Sequence, residues 1–414
     1  MTDITIPYSH LWAGILILWV AYAEIHFKLA GFRGFLFKKE PEIIFDLPHR
    51  ADSGKTIPLF LFIKDAHHYP VRLSNIQISI RRVGASQNTG IEQECAEEIN
   101  RKFYSKVIEL PAAAFPEGGE YEVLATLIYT VDGKQKQLIQ DNYRSISHEP
   151  FKIYVSADAL PTLPGWYWGD LHSHSNFTED QVEFGAPLKD MITCAKSIGL
   201  HFLAVTDHSF DLENNYFSGE GTNHWEEFLS EAEATNGMTT NFVLLPGEEV
   251  SAGNRLKENV HCLVLGSRQF FPGDGDGAKN LLRNRPTMSL KELLQRNNSG
   301  DKAIIAAAHP LDIPPRSQRL ILNRGFWQQE DLFDKSLDYW QILNGKIDRY
   351  FLEGLQLWKE ALLDGFKIGI MAGNDSHGNF NCYRQIRTPL LKLNKHNKQL
   401  LGKMRSAVFI EGQF

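Results

Sequence analysis

Residues 166–414 of this 414-residue chain predict an α/β fold, a distorted seven-stranded (β/α) barrel. Three observations predict it. Apolar runs alternate with amphipathic helical stretches, the pattern of strand–helix–strand units around a parallel sheet. The runs number seven rather than eight, hence the distortion. Histidines and carboxylates recur at the C-terminal ends of those runs, where barrels of this kind carry their chemistry. Short, turn-separated strands upstream predict a small β-sandwich domain, and an N-terminal apolar helix precedes it.

The elements follow in chain order. Residues 1–40 form an apolar segment. Residues 4–23 carry no Asp, Glu, Lys or Arg, and a membrane-spanning helix needs about 20 such residues. Trp12, Trp19 and Tyr22 suit an interface, and Phe27, Phe32, Phe35 and Phe37 interleave with Lys28, Arg33, Lys38 and Lys39. The reading is a membrane anchor, and the basic residues that follow it place the rest of the chain in the cytoplasm. Ala21-Tyr22-Ala23 has the form of a signal-peptide cleavage site, so export is the alternative; a buried core helix is the third reading.

Residues 41–156 read as β-rich, with strands near 57–63, 76–83, 121–130 and 151–155 and a hairpin turn at Asp132-Gly133. Runs that are apolar on both parities suit a sandwich of immunoglobulin-like type. His67 and His68 point to opposite faces of a strand and read as surface histidines. Residues 157–165, with Pro161 and Pro164, read as a linker.

Composition narrows the function classes. Hydrophobic residues at 43% and charged residues at 22% exclude a disordered chain. A net charge of −7 leaves no footprint for general nucleic-acid binding. Cys95, Cys194, Cys262 and Cys382 form no CxxC and read as reduced thiols.

In the C-terminal part, strands are expected at 166–171, 202–206, 242–246, 262–266, 303–308, 339–343 and 367–372, and helices at 187–198, 224–235, 289–297 and 348–364. Asp170-Leu171-His172-Ser173-His174 ends the first run, with Asp180 beyond it. Thr206-Asp207-His208 ends the second and Glu248-Glu249 follows the third. His309 ends the fifth, and Asp375 and His377 follow the seventh. Residues i and i+2 of a strand share a face, so His172 aims with His174 and Asp375 with His377. Imidazoles mixed with carboxylates are ligands for divalent ions, so the chain reads as a polynuclear metal hydrolase. His261 breaks the pattern, because it precedes its run. That run is antiparallel, or His261 lies on a loop folded over the barrel mouth. Glu248 points away from Glu249, and His201, at the start of its strand, reads as structural. The stretches 210–223 and 273–277 read as exposed loops, the first a candidate lid.

The ordered set HxH (His172, His174), TDH (Thr206-Asp207-His208), GxE (Glu249), His261, AHP (His309) and DxH (Asp375, His377) resembles the PHP (polymerase and histidinol phosphatase) superfamily, closest to its CehA/McbA-type metallohydrolase branch. The likeness spans roughly residues 166–414 and implies a barrel of PHP type. It also implies two or three divalent ions, zinc, manganese or iron. His172, His174, Glu249 and Asp375 would hold one. Asp180, His208 and His377 would hold a second, and Glu249, His261 and His309 a third. Asp180 stands where some members have histidine. The implied activity is hydrolysis by metal-activated water, most simply of a small phosphomonoester or phosphodiester. The alternatives are a carboxylic ester, carbamate or amide hydrolase, or a membrane-tethered binding protein with structural metals. Asp207 and Asp170 are the candidates to orient ligands or move protons. Arg384 and Arg387 are the candidates to grip a small anionic substrate, and Arg316, Arg319 and Arg324, after the strand that ends in His309, stand beside them.

Overall fold

The structure, a computed structural model, describes residues 40–142, 148–178, 185–213, 223–273, 275, 284–300, 302–382, 385–388, 391–394 and 399–412. The expected membrane anchor lies outside them. Among the described residues no helix is long and apolar enough to cross a membrane.

Nine strands make two sheets in the N-terminal part: β1 (Glu42–Asp46), β2 (Arg50–Asp52), β3 (Ile57–Lys64), β4 (Val71–Arg82), β5 (Asn88–Ile99), β6 (Phe103–Leu110), β7 (Gly119–Val131), β8 (Lys134–Ile139) and β9 (Phe151–Ser156). One sheet runs β1-β3-β6 and the other β2-β9-β7-β4-β5, with β8 added to β7. Strand β7 shows why these residues form a sheet. Tyr121, Val123, Ala125, Leu127, Tyr129 and Val131 are buried in strict alternation with partly exposed neighbours, the period of a strand with one face on a core. Strand β3 is buried along almost its whole length. One continuous apolar core runs from Ile43 through both sheets to Leu203, Phe380 and Leu401, so the N-terminal sheets and the C-terminal part are packed together.

The C-terminal part corrects the expected fold. Its strands are β10 (Trp166–Asp170), β11 (Ser173–His174), β12 (Phe202–His208), β13 (Val243–Gly253), β14 (Asn259–Leu265), β15 (Ile304–Ala307), β16 (Tyr339–Asn344), β17 (Gly369–Gly373), β18 (Ser376–His377), β19 (Gln385–Thr388), β20 (Leu391–Asn394) and β21 (Ser406–Phe409). Eight of them form one mixed, nearly closed sheet of order β17-β16-β15-β14-β13-β12-β10-β21. This is not the predicted seven-stranded (β/α) barrel of PHP type. Among the described residues of the whole chain, strand content is 40% against 20% helix. The described helices are α1 (Leu188–Ser197), α2 (Ser209–Leu212), α3 (His224–Gly237), α4 (Leu290–Ser299), α5 (Arg316–Ile321), α6 (Gln329–Leu332) and α7 (Arg349–Leu363), and three of these span only one turn or two.

The physical reason lies in two connections. Strand β14 is antiparallel to both β13 and β15, because only residues 254–258 join β13 to β14. That turn is too short for the crossover that parallel strands need. It is tied off by Asn254 Oδ1, which accepts the N–H groups of Leu256 and Glu258 at 2.9 Å each. Strand β21 adds an antiparallel edge on β10. The alternation of runs with helical stretches predicts parallel strands; of the two readings left open by His261, the antiparallel run is the one found.

The ring closes between β17 and β21 through side chains. Ser406 Oγ accepts from the Ala372 N–H at 2.8 Å and donates to the Ala372 carbonyl at 3.1 Å. The Asn374 amide donates to the Met404 carbonyl and accepts from the Met404 N–H, both at 2.8 Å.

Candidate metal centre

Each element delivers its ligands by a local rule. After β10 the chain turns into the two-residue strand β11, which pairs in parallel with β18, so that His174 sits opposite His377. The two imidazoles stack, centroids 4.0 Å apart. His208, at the end of β12, is the register partner of Glu249, midway along β13. Ser251 pairs with His261, which puts His261 diagonal to Glu249 on the same face. The antiparallel course of β14 thus places His261 at the site although it precedes its apolar run. His309 and Asp375 follow β15 and β17 with φ of 30° and 51°, left-handed values that non-glycine residues rarely adopt.

The result is a buried carboxylate ringed by imidazoles. Glu249 Oε2 lies 3.1 Å from His208 Nδ1 and 3.5 Å from the Nε2 atoms of both His172 and His174. Glu249 Oε1 lies 2.5 Å from His261 Nδ1 and 3.3 Å from His309 Nε2. Asp375 Oδ1 lies 3.1 Å from His174 Nε2 and 3.4 Å from His172 Nε2. Three groups of donor atoms could each hold a metal ion: His172, His174, Glu249 and Asp375; His174, His208 and His377; and His208, Glu249 and His261. The structure thus brings together every expected ligand except Asp180, which lies outside the described residues.

The donor chemistry fits divalent cations. Burial alone would raise Glu249, but His261 and His172 hold it well below the ordinary carboxylate value. Asp375 is held low in the same way, by His172 and His174 against the effect of burial. Burial, with His377 and His208, pushes His174 well below 6.5, which keeps its lone pair available at neutral pH. Burial would also lower His172, yet Glu249 and Asp375 raise it to about 9, so the two carboxylates draw positive charge between them. Glu249 Oε2 is buried with His208 Nδ1 at 3.1 Å, a place where a carboxylate needs a compensating positive charge, which a cation would supply.

Polar residues around the ligands fix their aim. Gln341 is fully buried in β16. Its Oε1 accepts from His172 Nδ1 at 2.8 Å and from the His309 N–H at 3.3 Å, which leaves His172 Nε2 as the lone pair facing the cluster. Asp207 accepts four hydrogen bonds, from the N–H and hydroxyl groups of Ser175 and Thr178, at 2.7 to 3.1 Å. It therefore acts by holding the turn after His174. Asp170 accepts from the N–H groups of His172, Asn374 and Gly402 and from the Asn374 amide, tying the first ligand strand to the last. Both are positioning carboxylates by their contacts. Burial raises Asp207, and lifts Asp170 to about 6. Glu248 points the other way and accepts from Ser209 Oγ and the Phe271 N–H. His201 Nδ1 accepts from the Trp168 N–H at 3.1 Å.

Arg324, one of the arginines that the sequence placed after the strand ending in His309, has its Nη1 against His261 Nε2. Its segment is fixed by Asn259, whose N–H donates to the Asn323 carbonyl and whose amide donates to the Leu322 carbonyl. Arg384 lies outside the described residues, and of Arg387 only the backbone, in β19, is described. Sequence reasoning missed Gln341. The signal was a lone amide between Trp340 and Ile342 in an otherwise apolar run.

No family model matches the chain, and no curated protein does. Among solved structures, a putative late embryogenesis abundant protein aligns at TM-score 0.23 and 8% identity, covering 36% of this chain and 87% of its own. The Bacillus subtilis sporulation control protein Spo0M aligns at 0.18 and 13%, covering 29% and 51%. A CARDB domain from Pyrococcus furiosus, in complex with di-metal ions, aligns at 0.16 and 16%, covering 30% and 93%. At these scores none bears on fold or function.

Proposed function

We propose that this chain is a metal-dependent hydrolase with two or three divalent ions (zinc, manganese or iron), acting as a phosphoesterase on a small phosphomonoester or phosphodiester. One observation carries the reading: the buried Glu249 carboxylate has imidazole nitrogens of five histidines within 3.5 Å. The ordered motifs, similar to those of the PHP superfamily, support it. The ligand chemistry is taken from that likeness and the barrel is not.

When bound, such ions acidify water toward neutrality and offset charge on the oxygens of the group under attack. The chain supplies the rest. Glu249 and Asp375 stay ionised, and His174 stays neutral with its lone pair inward. Gln341 holds His172 and His309, while Asp170 and Asp207 lock the two turns that present the HxH and DxH pairs. Arg324, half-buried beside His261, grips the substrate anion.

The test is a panel of p-nitrophenyl phosphate, bis-p-nitrophenyl phosphate and p-nitrophenyl acetate on protein of measured metal content. The expected result is turnover of a phosphate ester that a chelator removes and metal restores. His174→Ala and Asp375→Ala should abolish it and lower metal content, while His67→Ala should do neither. Turnover of the acetate alone would move the activity to carboxylic esters. Silence from fully loaded protein would sink the reading as an enzyme.

A further inference from the structure

The N-terminal sheets reach the candidate metal centre through the segment that follows His377, whose backbone one carboxylate holds. Asp46, the last residue of β1, is fully buried. Its Oδ2 accepts from the Phe380 N–H at 2.8 Å, and its Oδ1 from the N–H groups of Asn381 at 2.9 Å and Leu47 at 2.8 Å. The segment it holds begins three residues after His377.

Other contacts fix the same segment. The Phe380 ring, wholly buried, packs edge-on to Phe60 at 4.9 Å and Phe62 at 6.1 Å, both on β3. The Asn381 amide donates to the Lys152 carbonyl of β9 at 2.8 Å. Cys382 Sγ donates to the Phe45 carbonyl at 3.1 Å. Residues 380–382 are thereby hydrogen-bonded to β1 and β9 and packed on β3.

The segment is continuous with two expected ligands. Asn379 Oδ1 accepts from the His377 N–H at 2.8 Å. The Asn379 amide donates to the Gln399 carbonyl at 3.0 Å, and Gln399 Nε2 donates to Asp375 Oδ2 at 3.0 Å. Strand β18, which carries His377, is only two residues long, so the ladder alone does little to fix it. The anchor ahead of it supplies the remaining constraint. Gly378 makes the join tight: with φ of 67°, a Cβ there would fall 2.4 Å from the Gly185 carbonyl carbon.

We infer that Asp46 is a positioning residue for the metal centre, and that the N-terminal β region serves as the template against which His377 and Asp375 are held. The inference rests on the metal-centre reading. A carboxylate suits this place because its two oxygens accept three N–H groups at once. An asparagine offers one acceptor and turns an NH2 toward an N–H donor.

The experiment is Co2+ titration of the metal-stripped full-length protein, followed by the visible absorption band, with circular dichroism as the check on folding. Asp46→Asn should keep the wild-type far-ultraviolet spectrum, bind Co2+ about 10–100-fold more weakly, the range for a lost ligand support, and shift the band. Leu73→Ala, which opens the buried core of β4, should lower the melting temperature and leave Co2+ affinity and band unchanged. If Asp46→Asn does not fold, Asn381→Ala decides. It removes one neutral hydrogen bond and should weaken binding about fivefold. Wild-type affinity and band in the folded variants would overturn the inference, as would an equal loss in Leu73→Ala. A wild-type protein that binds no Co2+ would instead refute the metal centre itself.

Discussion

Replacing Gln341 by Met tests how the centre is built, because the change keeps the length of the side chain and removes its polar atoms. Three hydrogen bonds disappear, from His172 Nδ1 at 2.8 Å, from the His309 N–H at 3.3 Å and from Gln341 Nε2 to Asn344 Oδ1 at 3.3 Å. At about 1 kcal/mol each, with about 1–3 kcal/mol for buried donors left without an acceptor, the fold should lose about 4–6 kcal/mol. His172 also becomes free to present either nitrogen. Lost support of this kind weakens metal binding about 10–100-fold, or about 1.4–2.7 kcal/mol. Urea unfolding gives the first number and metal titration by calorimetry the second. Gln341→Glu retains an acceptor for both donors and should bind metal better than Gln341→Met. If Gln341→Met binds metal as the wild type does, Gln341 does not set the aim of His172, and the argument from its two contacts is wrong.

Gly373→Ala should damage the same corner from the other side. Its Cβ would fall 2.5 Å from His172 Cβ and 2.9 Å from Gln341 Nε2, an overpacking worth about 1–3 kcal/mol; an unchanged melting temperature would contradict it. Metal removal should destabilise the protein. Ligand at about 100 times its Kd adds about 2.7 kcal/mol, so a chelator should lower the melting point and divalent ions restore it, and identical melts would refute the cation site. Asp46 should give stability a pH dependence of definite sign. Burial lifts it from 3.8 to about 7 in the folded state, facing the thiols of Cys194 and Cys382, which burial also raises. The folded chain then holds a proton that the unfolded chain has lost, so this contribution is full below pH 3.8 and falls as pH rises toward 7, by about 4 kcal/mol in all. The stability of the wild type minus that of Asp46→Asn, which does not titrate there, should decline across that range. A flat or rising difference would contradict the sign.

The strands of the C-terminal part were legible because each is an apolar run between turn signals, and all seven expected runs coincide with strands of the eight-stranded sheet. Their directions were legible only in part. Alternation with helical stretches predicts parallel strands throughout, and only the place of His261 before its run left an antiparallel course open, the one β14 takes. The decisive feature was the length of the 254–258 turn. The residues of the candidate cluster were legible because histidines and carboxylates near strand ends have few other reasons to gather. Their supports were not, because Gln341, Asn379 and Gln399 are neutral amides whose importance comes only from what they touch. Asp46 lies 334 residues from Phe380, and no local pattern marks it.

The closure between β17 and β21 has a consequence for motion. A ladder of main-chain bonds opens one rung after another, whereas this join depends on two latches, a hydroxyl and an amide. Amide protons at Ala372 and Met404, whose acceptors are Ser406 Oγ and Asn374 Oδ1, should exchange with solvent sooner than those between β12 and β13. Asn374 is next in sequence to Asp375, so springing the second latch should also loosen a carboxylate of the candidate cluster. One residue then fastens the sheet beside the groups that could hold a cation.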